Sequence, residues 1–277
     1  MNTNNLDKHF QQIGARVKIG ALRSRPFAWD SRPARRFTID VRKDKRGEFF
    51  EILTRQGESL DMVVLDAQPE DRHLLLMVKG KREGGRQPFD SAVERFLCGH
   101  DERAWFVAAA SSGSNVDAAK ESLKPQAVTE MQSSMQLKSN ERHKRKNPAF
   151  VRQGEWFFIP CPDFHPDDKL VLKNEPLRRP GGKPHVVQFL YRRGGTTVHV
   201  CHEYPHGLTH AEYQRLIHRR PEKRNLPWRM MARDPEAFAK GTVKHSDHKT
   251  IILPLWHRVA MNTESQANGA RNVTFLD

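Results

Sequence analysis

His185-Val-Val-Gln-Phe-Leu-Tyr-Arg-Arg-Gly-Gly-Thr-Thr-Val-His-Val-Cys201 sets the fold class of this chain. Two β-rich runs flank Gly194-Gly195, and both glycines accept the positive φ that a two-residue turn demands. The spacing predicts an antiparallel hairpin in which Arg193 pairs with Thr196. Counting back from that pair puts Val187, Phe189 and Tyr191 on one face with Val198 and Val200. His199 and Cys201 then point to the other face with Gln188 and Leu190, because side chains alternate along a strand.

The same two-residue period runs through much of the chain. Phe37, Ile39 and Val41 alternate with polar neighbours. Apolar runs follow at 48–53, 60–65, 73–79, 95–98 and 103–109, separated by charged or glycine-containing turns. Short strands at this spacing read as antiparallel sheet or small barrel rather than βαβ units. Ser114 followed by Asp117 resembles a capping box, Val116–Leu123 has helical composition, and Pro125 ends it. Further on, Trp156–Ile159 is a buried-strand candidate. Thr209 and Glu212 form a second capping box for a helix through about Ile217. Asp234-Pro235-Glu236 reads as an N-cap with proline at the first helical position. Strands are expected at about 241–245, 249–253, 256–261 and 272–276.

The expected architecture is mainly β with a few short helices (α+β): two antiparallel β-rich units joined by a basic linker. Residues 1–36 read as a basic N-terminal arm, with Pro26 and Pro33 keeping it extended. Residues 37–125 form a β-rich domain closed by one helix, 126–150 the linker, and 151–277 a His-rich hairpin domain with two short helices.

Composition narrows the function classes. The chain has 277 residues with 47 Lys+Arg against 33 Asp+Glu, a formal net charge of +14. No run approaches the roughly 18 apolar residues of a membrane span, and the polar start lacks the apolar core of a secretory signal. Cys98, Cys161 and Cys201 are an odd set, which argues for reduced thiols and a cytoplasmic protein. There is no phosphate-binding glycine loop, no Gly-x-Ser-x-Gly elbow and no Cys-x-x-Cys pair.

Positive charge gathers in blocks at 16–46, 138–152, 178–193 and 215–233. The last holds Arg215, Arg219, Arg220, Lys223, Arg224 and Arg229 around Trp228, a mixture suited to phosphate contact and base stacking. Nucleic acid is the first expected partner and an acidic protein the second.

Ten of the fourteen histidines lie between His165 and His257. A turn at Ser246-Asp247 would set His245 across from His248 with Cβ atoms roughly 5 Å apart, near enough to share an ion. His257 on the next strand is the candidate third ligand, and zinc the expected metal. His199 with Cys201 is a second candidate pair. Asp247 and Glu203 are candidate general bases. The expected function is nucleic-acid binding through arginine-rich patches. The alternatives are a metal-dependent hydrolase, a nuclease among them, and a non-catalytic assembly protein.

Overall fold

The computed structural model describes residues 3–22, 36–56, 59–81, 93–179, 182–264 and 273–275. The chain divides into two compact units, Met1–Lys124 and Pro125–Asp277.

The first unit opens with helix α1 (Thr3–Gln12) and strand β1 (Val17–Leu22). Then come β2 (Phe37–Asp44), β3 (Gly47–Arg55), β4 (Ser59–Gln68), β5 (His73–Lys81), β6 (Val93–Asp101), β7 (Ala104–Ala110) and α2 (Val116–Ser122). Strands β4 to β7 form a four-stranded antiparallel meander, while β1, β3 and β2 make a separate sheet with β1 parallel to β3. The unbroken apolar run of β5 has a structural counterpart. Leu74, Leu76 and Val78 pack into one core with Phe50, Ile52 and Phe96, while Leu75 enters a second core under α2 with Leu97 and Ala119. A strand covered on both faces has no need of polar alternation.

Two expectations for this unit are corrected. The start of the chain is not an extended arm as far as residue 22. Leu6, Phe10 and Ile13 of α1 are buried in the first core. Arg16 and Lys18 both reach Asp44, at 2.8 and 2.9 Å, so these two cations brace β1 against the β2–β3 turn. The Pro26–Pro33 part of the expected arm lies outside the described residues. Helix α2 is capped by Asn115, whose side chain accepts from Ala118 N, one residue beyond the expected Ser114.

The second unit begins where a linker was expected. Residues 126–150 instead carry α3 (Gln126–Ser134), α4 (Ser139–Arg142) and the short strand β8 (Lys146–Asn147). Val128 and Ala149 pack against Phe150, Phe157 and Ile159, enough apolar surface to hold this charged stretch on the sheet. The following strands are β9 (Phe150–Gln153), β10 (Trp156–Pro160), β11 (Leu172–Leu177), β12 (His185–Arg193), β13 (Thr196–Cys201) and β14 (Tyr204–Thr209). Helix α5 (His210–Arg219) and a 3-10 turn at Pro221–Asn225 lead to β15 (Arg229–Arg233), β16 (Glu236–Lys244), β17 (Ile251–Met261) and β18 (Val273–Phe275). The Thr209–Glu212 capping box at the start of α5 is present in both directions.

The deciding stretch is β-structure throughout, but it is not a hairpin. Strand β12 lies in a seven-stranded antiparallel sheet ordered β11-β12-β16-β17-β10-β9-β8, and β13 lies in a four-stranded sheet ordered β14-β13-β15-β18. Both halves take the same partner segment: Arg193 pairs with Glu236 and Thr196 with Arg233. The result is a two-stranded ribbon that changes sheet midway. At the crossing Gly194 and Gly195 have φ of +66° and +89°, and Asp234 opposite them has φ of +54°. A Cβ on Gly195 would stand 2.9 Å from Arg233 O, so glycine serves the close crossing of two strand segments rather than a reversal of one. The helix expected after Asp234 is absent for the same reason, since Glu236–Lys244 is the partner strand. A bulge between Val187 and Phe189 shifts the face, so that Leu190 joins Val187 in the core.

Candidate metal centre

The ladder between β16 and β17 ends at Val243–Ile251, and residues 245–250 form the loop beyond the end of β16. This is longer than the two-residue turn expected at Ser246-Asp247, yet His245 and His248 still meet, with ring centroids 4.6 Å apart. The loop folds on its own polar groups: Asp247 N donates to His245 Nδ1 at 3.1 Å, and Ser246 Oγ donates to the Asp247 carboxylate at 3.0 Å.

The third imidazole comes from β12. Val186 pairs with Lys244, so one further step of the register sets His185 opposite His245. Their rings stack with centroids 4.1 Å apart, and His185 lies 5.6 Å from the His248 ring. One ligand-capable atom from each of the three histidines lies within 4.8 Å of the other two. Tetrahedral zinc places imidazole nitrogens about 3.3 Å apart at Zn–N distances of about 2.0–2.1 Å, so closing on an ion requires the stacked rings to turn toward a common centre.

Backbone makes the wall of this site. Gly154, in the β9–β10 turn, has φ of +58°, and a Cβ there would stand 2.7 Å from His248 Nε2 and 3.3 Å from His185 Nε2. Two Nε2 atoms therefore face the space that only glycine keeps clear. His185 is 1 % exposed, and neither of its ring nitrogens has a hydrogen-bond partner. A buried polar group left in that condition costs roughly 1–3 kcal/mol. Burial first, then the neighbouring His245, His248 and Arg179, push its pKa down to about 3, while Asp247 opposes them. The ring is thus neutral at physiological pH, the form that binds metal. His245 and His248 are half-buried, which leaves the group open on their side.

His257 does not join the cluster. It pairs with Pro160 and Ala239 in the sheet interior, and its Nδ1 donates to Leu255 O at 2.7 Å. His199 and Cys201 also part company. A register shift follows His199, whose Nε2 is 3.2 Å from His210 Nδ1 and whose ring stacks on Tyr213, whereas Cys201 is buried. Among the described residues no other set of three His, Cys, Asp or Glu side chains converges in this way.

Both candidate bases are ion-paired. Asp247 accepts from Lys183 Nζ at 2.9 Å through each oxygen, and that bond chiefly holds its carboxyl below the usual range. Glu203 accepts from Lys223 at 2.6 Å in the β13–β14 region. The lowered carboxyl of Asp247 is a weak base. Closer in sequence to the histidine wall is Glu155, which with Glu264 flanks Arg179 at 3.8 and 3.2 Å.

The arginine-rich block surrounds α5. Arg215, Arg219, Arg220 and Arg224 are exposed, and Arg229 lies exposed on β15. Lys223 is engaged with Glu203. Trp228 is an anchor: its indole N–H donates to Lys223 O at 2.8 Å, Tyr204 stacks on it, and Tyr213 meets it edge-on. Gln214, Ile217, His218, Pro221, Arg224 and Asn225 line a cleft of about 370 Å³ beside this block.

No protein-family model, curated protein or solved structure matches the chain. No described helix is long and apolar enough to cross a membrane.

His185 and Gly154 are the site residues that sequence reasoning missed. His185 stands at the first position of the deciding stretch. Its proximity to His245 follows only from the β12–β16 pairing, which the expected hairpin replaced.

Proposed function

We propose that the second unit binds one divalent metal ion through His185, His245 and His248, and that the chain is a metal-dependent hydrolase. The observation that carries this reading is the buried, unpartnered imidazole of His185 facing two further imidazoles across a glycine. Three imidazole nitrogen donors suit zinc among the abundant divalent ions, and oxygen-seeking magnesium and calcium poorly. Three protein ligands with a solvent-facing side are the arrangement of catalytic rather than structural zinc, which takes four. Such an ion supplies Lewis acidity toward a phosphoryl or carbonyl oxygen. The chain's part is to hold His185 neutral, to keep backbone rather than side chain against Nε2 of His185 and His248, and to brace the loop through Lys183 and Asp247.

Isothermal titration of chelator-treated protein with zinc is expected to give one site per chain. Alanine at 185, 245 or 248 should weaken binding at least a hundredfold, whereas His257→Ala should retain it. Hydrolysis of bis(p-nitrophenyl) phosphate should be lost with chelator and restored by zinc. No zinc uptake by the folded wild type overturns the metal reading, and uptake without hydrolysis of phosphate or carboxylate esters overturns the hydrolase.

A second reading, nucleic-acid binding, is favoured by the exposed Arg215, Arg219, Arg220 and Arg224 around α5. Four phosphate contacts correspond to a slope of log affinity against log salt of roughly −3 to −4. Filter binding to a duplex and to a single strand at 50–200 mM salt should give that slope. Replacing Arg219, Arg220 and Arg224 with Gln should flatten it, and a salt-independent wild type removes the reading.

A further inference from the structure

Behind the three histidines the second unit buries several polar atoms that make no hydrogen bond. They are Gln153 Oε1, Trp156 Nε1 and the two ring nitrogens of His185. Their residues are 0 %, 5 % and 1 % exposed. They are also neighbours, since Gln153 pairs with Trp156 across the β9–β10 hairpin and the Trp156 ring meets the His185 ring edge-on at 6.4 Å. Native interiors satisfy nearly all such groups, so a concentration of them marks a place where something else completes the bonding.

The other end of the Gln153 side chain is fully engaged. Its Nε2 donates to Val243 O at 3.2 Å and to Lys249 O at 2.6 Å. Those carbonyls are the two feet of the loop that carries His245 and His248. One buried side chain therefore fixes the loop and also holds a buried, unpartnered acceptor on the residue paired with Trp156, whose ring meets His185.

Resting on the zinc reading above, we propose that Gln153 is the positioning residue of the metal centre, clamping the histidine loop through Nε2 and orienting His185 through Oε1. The Nε2 atoms of His185 and His248 both face Gly154, so Nε2 of His185 is the ligating atom and Nδ1 carries the proton. A ligating imidazole gives its second N–H to an oxygen, and that bond sets ring orientation and raises ligand basicity. Here one buried water completes the link. It accepts from His185 Nδ1–H and from Trp156 Nε1–H, and it donates to Gln153 Oε1. Three bonds are the usual complement of a buried water.

The test is Gln153→Met, which keeps the side chain's length and removes both its donor and its acceptor. Zinc titration should show affinity lowered about 10–100-fold. In zinc-loaded wild type, long-range proton–nitrogen NMR should show His185 protonated at Nδ1 with slow exchange. In Gln153→Met that signal should exchange at least tenfold faster, a change that loosened packing elsewhere would not produce. Wild-type affinity and wild-type exchange in this variant overturn the proposal while leaving the zinc reading intact. Absence of zinc binding by the wild type ends both. Should Gln153→Met fail to fold, Trp156→Phe leaves the loop clamp in place. It should raise the His185 Nδ1–H exchange rate at least tenfold, and an unchanged rate overturns the proposal.

Discussion

Leucine at position 185 should make the metal-free protein more stable and abolish its zinc binding. The two effects have one cause. His185 is buried with both ring nitrogens unpartnered, and an apolar side chain of similar volume removes that penalty while filling the same space. Relief of one or both unsatisfied nitrogens amounts to about 1–3 kcal/mol, a rise of several degrees in melting temperature for a unit of this size. The loss of one of three ligands takes away the metal, and with it the stabilisation by mass action, about 4 kcal/mol at a zinc concentration a thousand times Kd. Melting curves with chelator and with zinc should therefore cross. The leucine variant melts higher without metal, and the wild type melts higher with it. A residue kept at a cost to the apoprotein is the usual sign of function. Were the leucine variant less stable than wild type in chelator by more than about 2 kcal/mol, His185 would be a packing residue.

The comparison of sequence with structure divides along physical lines. Strands β2 to β7 were legible because each buries one face or both, and that burial is written locally as alternation or as an unbroken run such as Leu74–Val78. Helix α5 was legible from Thr209 and Glu212 because a capping box involves residues only three apart. Gly194-Gly195 misled because positive φ is needed equally by a tight turn and by a strand passing from sheet to sheet. The choice between them lies in Arg233–Glu236, some 40 residues away. The α1 segment and residues 126–150 were read by charge, although a few buried side chains, Leu6 and Phe10 in one and Val128 in the other, hold each in place. The histidine cluster was half legible. His245 and His248 share one loop, so proximity in sequence sufficed, whereas His185 and Gly154 arrive from other strands.

Acid should destabilise the metal-free protein across a window set by His185. Its folded pKa is about 3, against an unfolded value near 6.5. Between those values the unfolded chain takes up a proton that the folded protein refuses, so unfolding becomes more favourable as pH falls. The slope approaches ~1.4 kcal/mol per pH unit, or about 3 kcal/mol between pH 6.5 and 4. His257 and His199, both lowered mainly by burial, act with the same sign. Ion-paired carboxylates such as Asp247, also lowered, lose their contribution at more acid pH. The His185 share is isolated by comparison with His185→Leu in chelator. Urea unfolding can be followed at pH 7, 6, 5 and 4 by tryptophan fluorescence, to which Trp156 beside His185 contributes. The stability difference between the two proteins should widen in favour of leucine by about 1 kcal/mol for each pH unit below 6.5. Parallel curves would mean that His185 accepts its proton in the folded state as readily as in the unfolded one. It would then be neither as buried nor as neutral as a ligand at the base of this site must be.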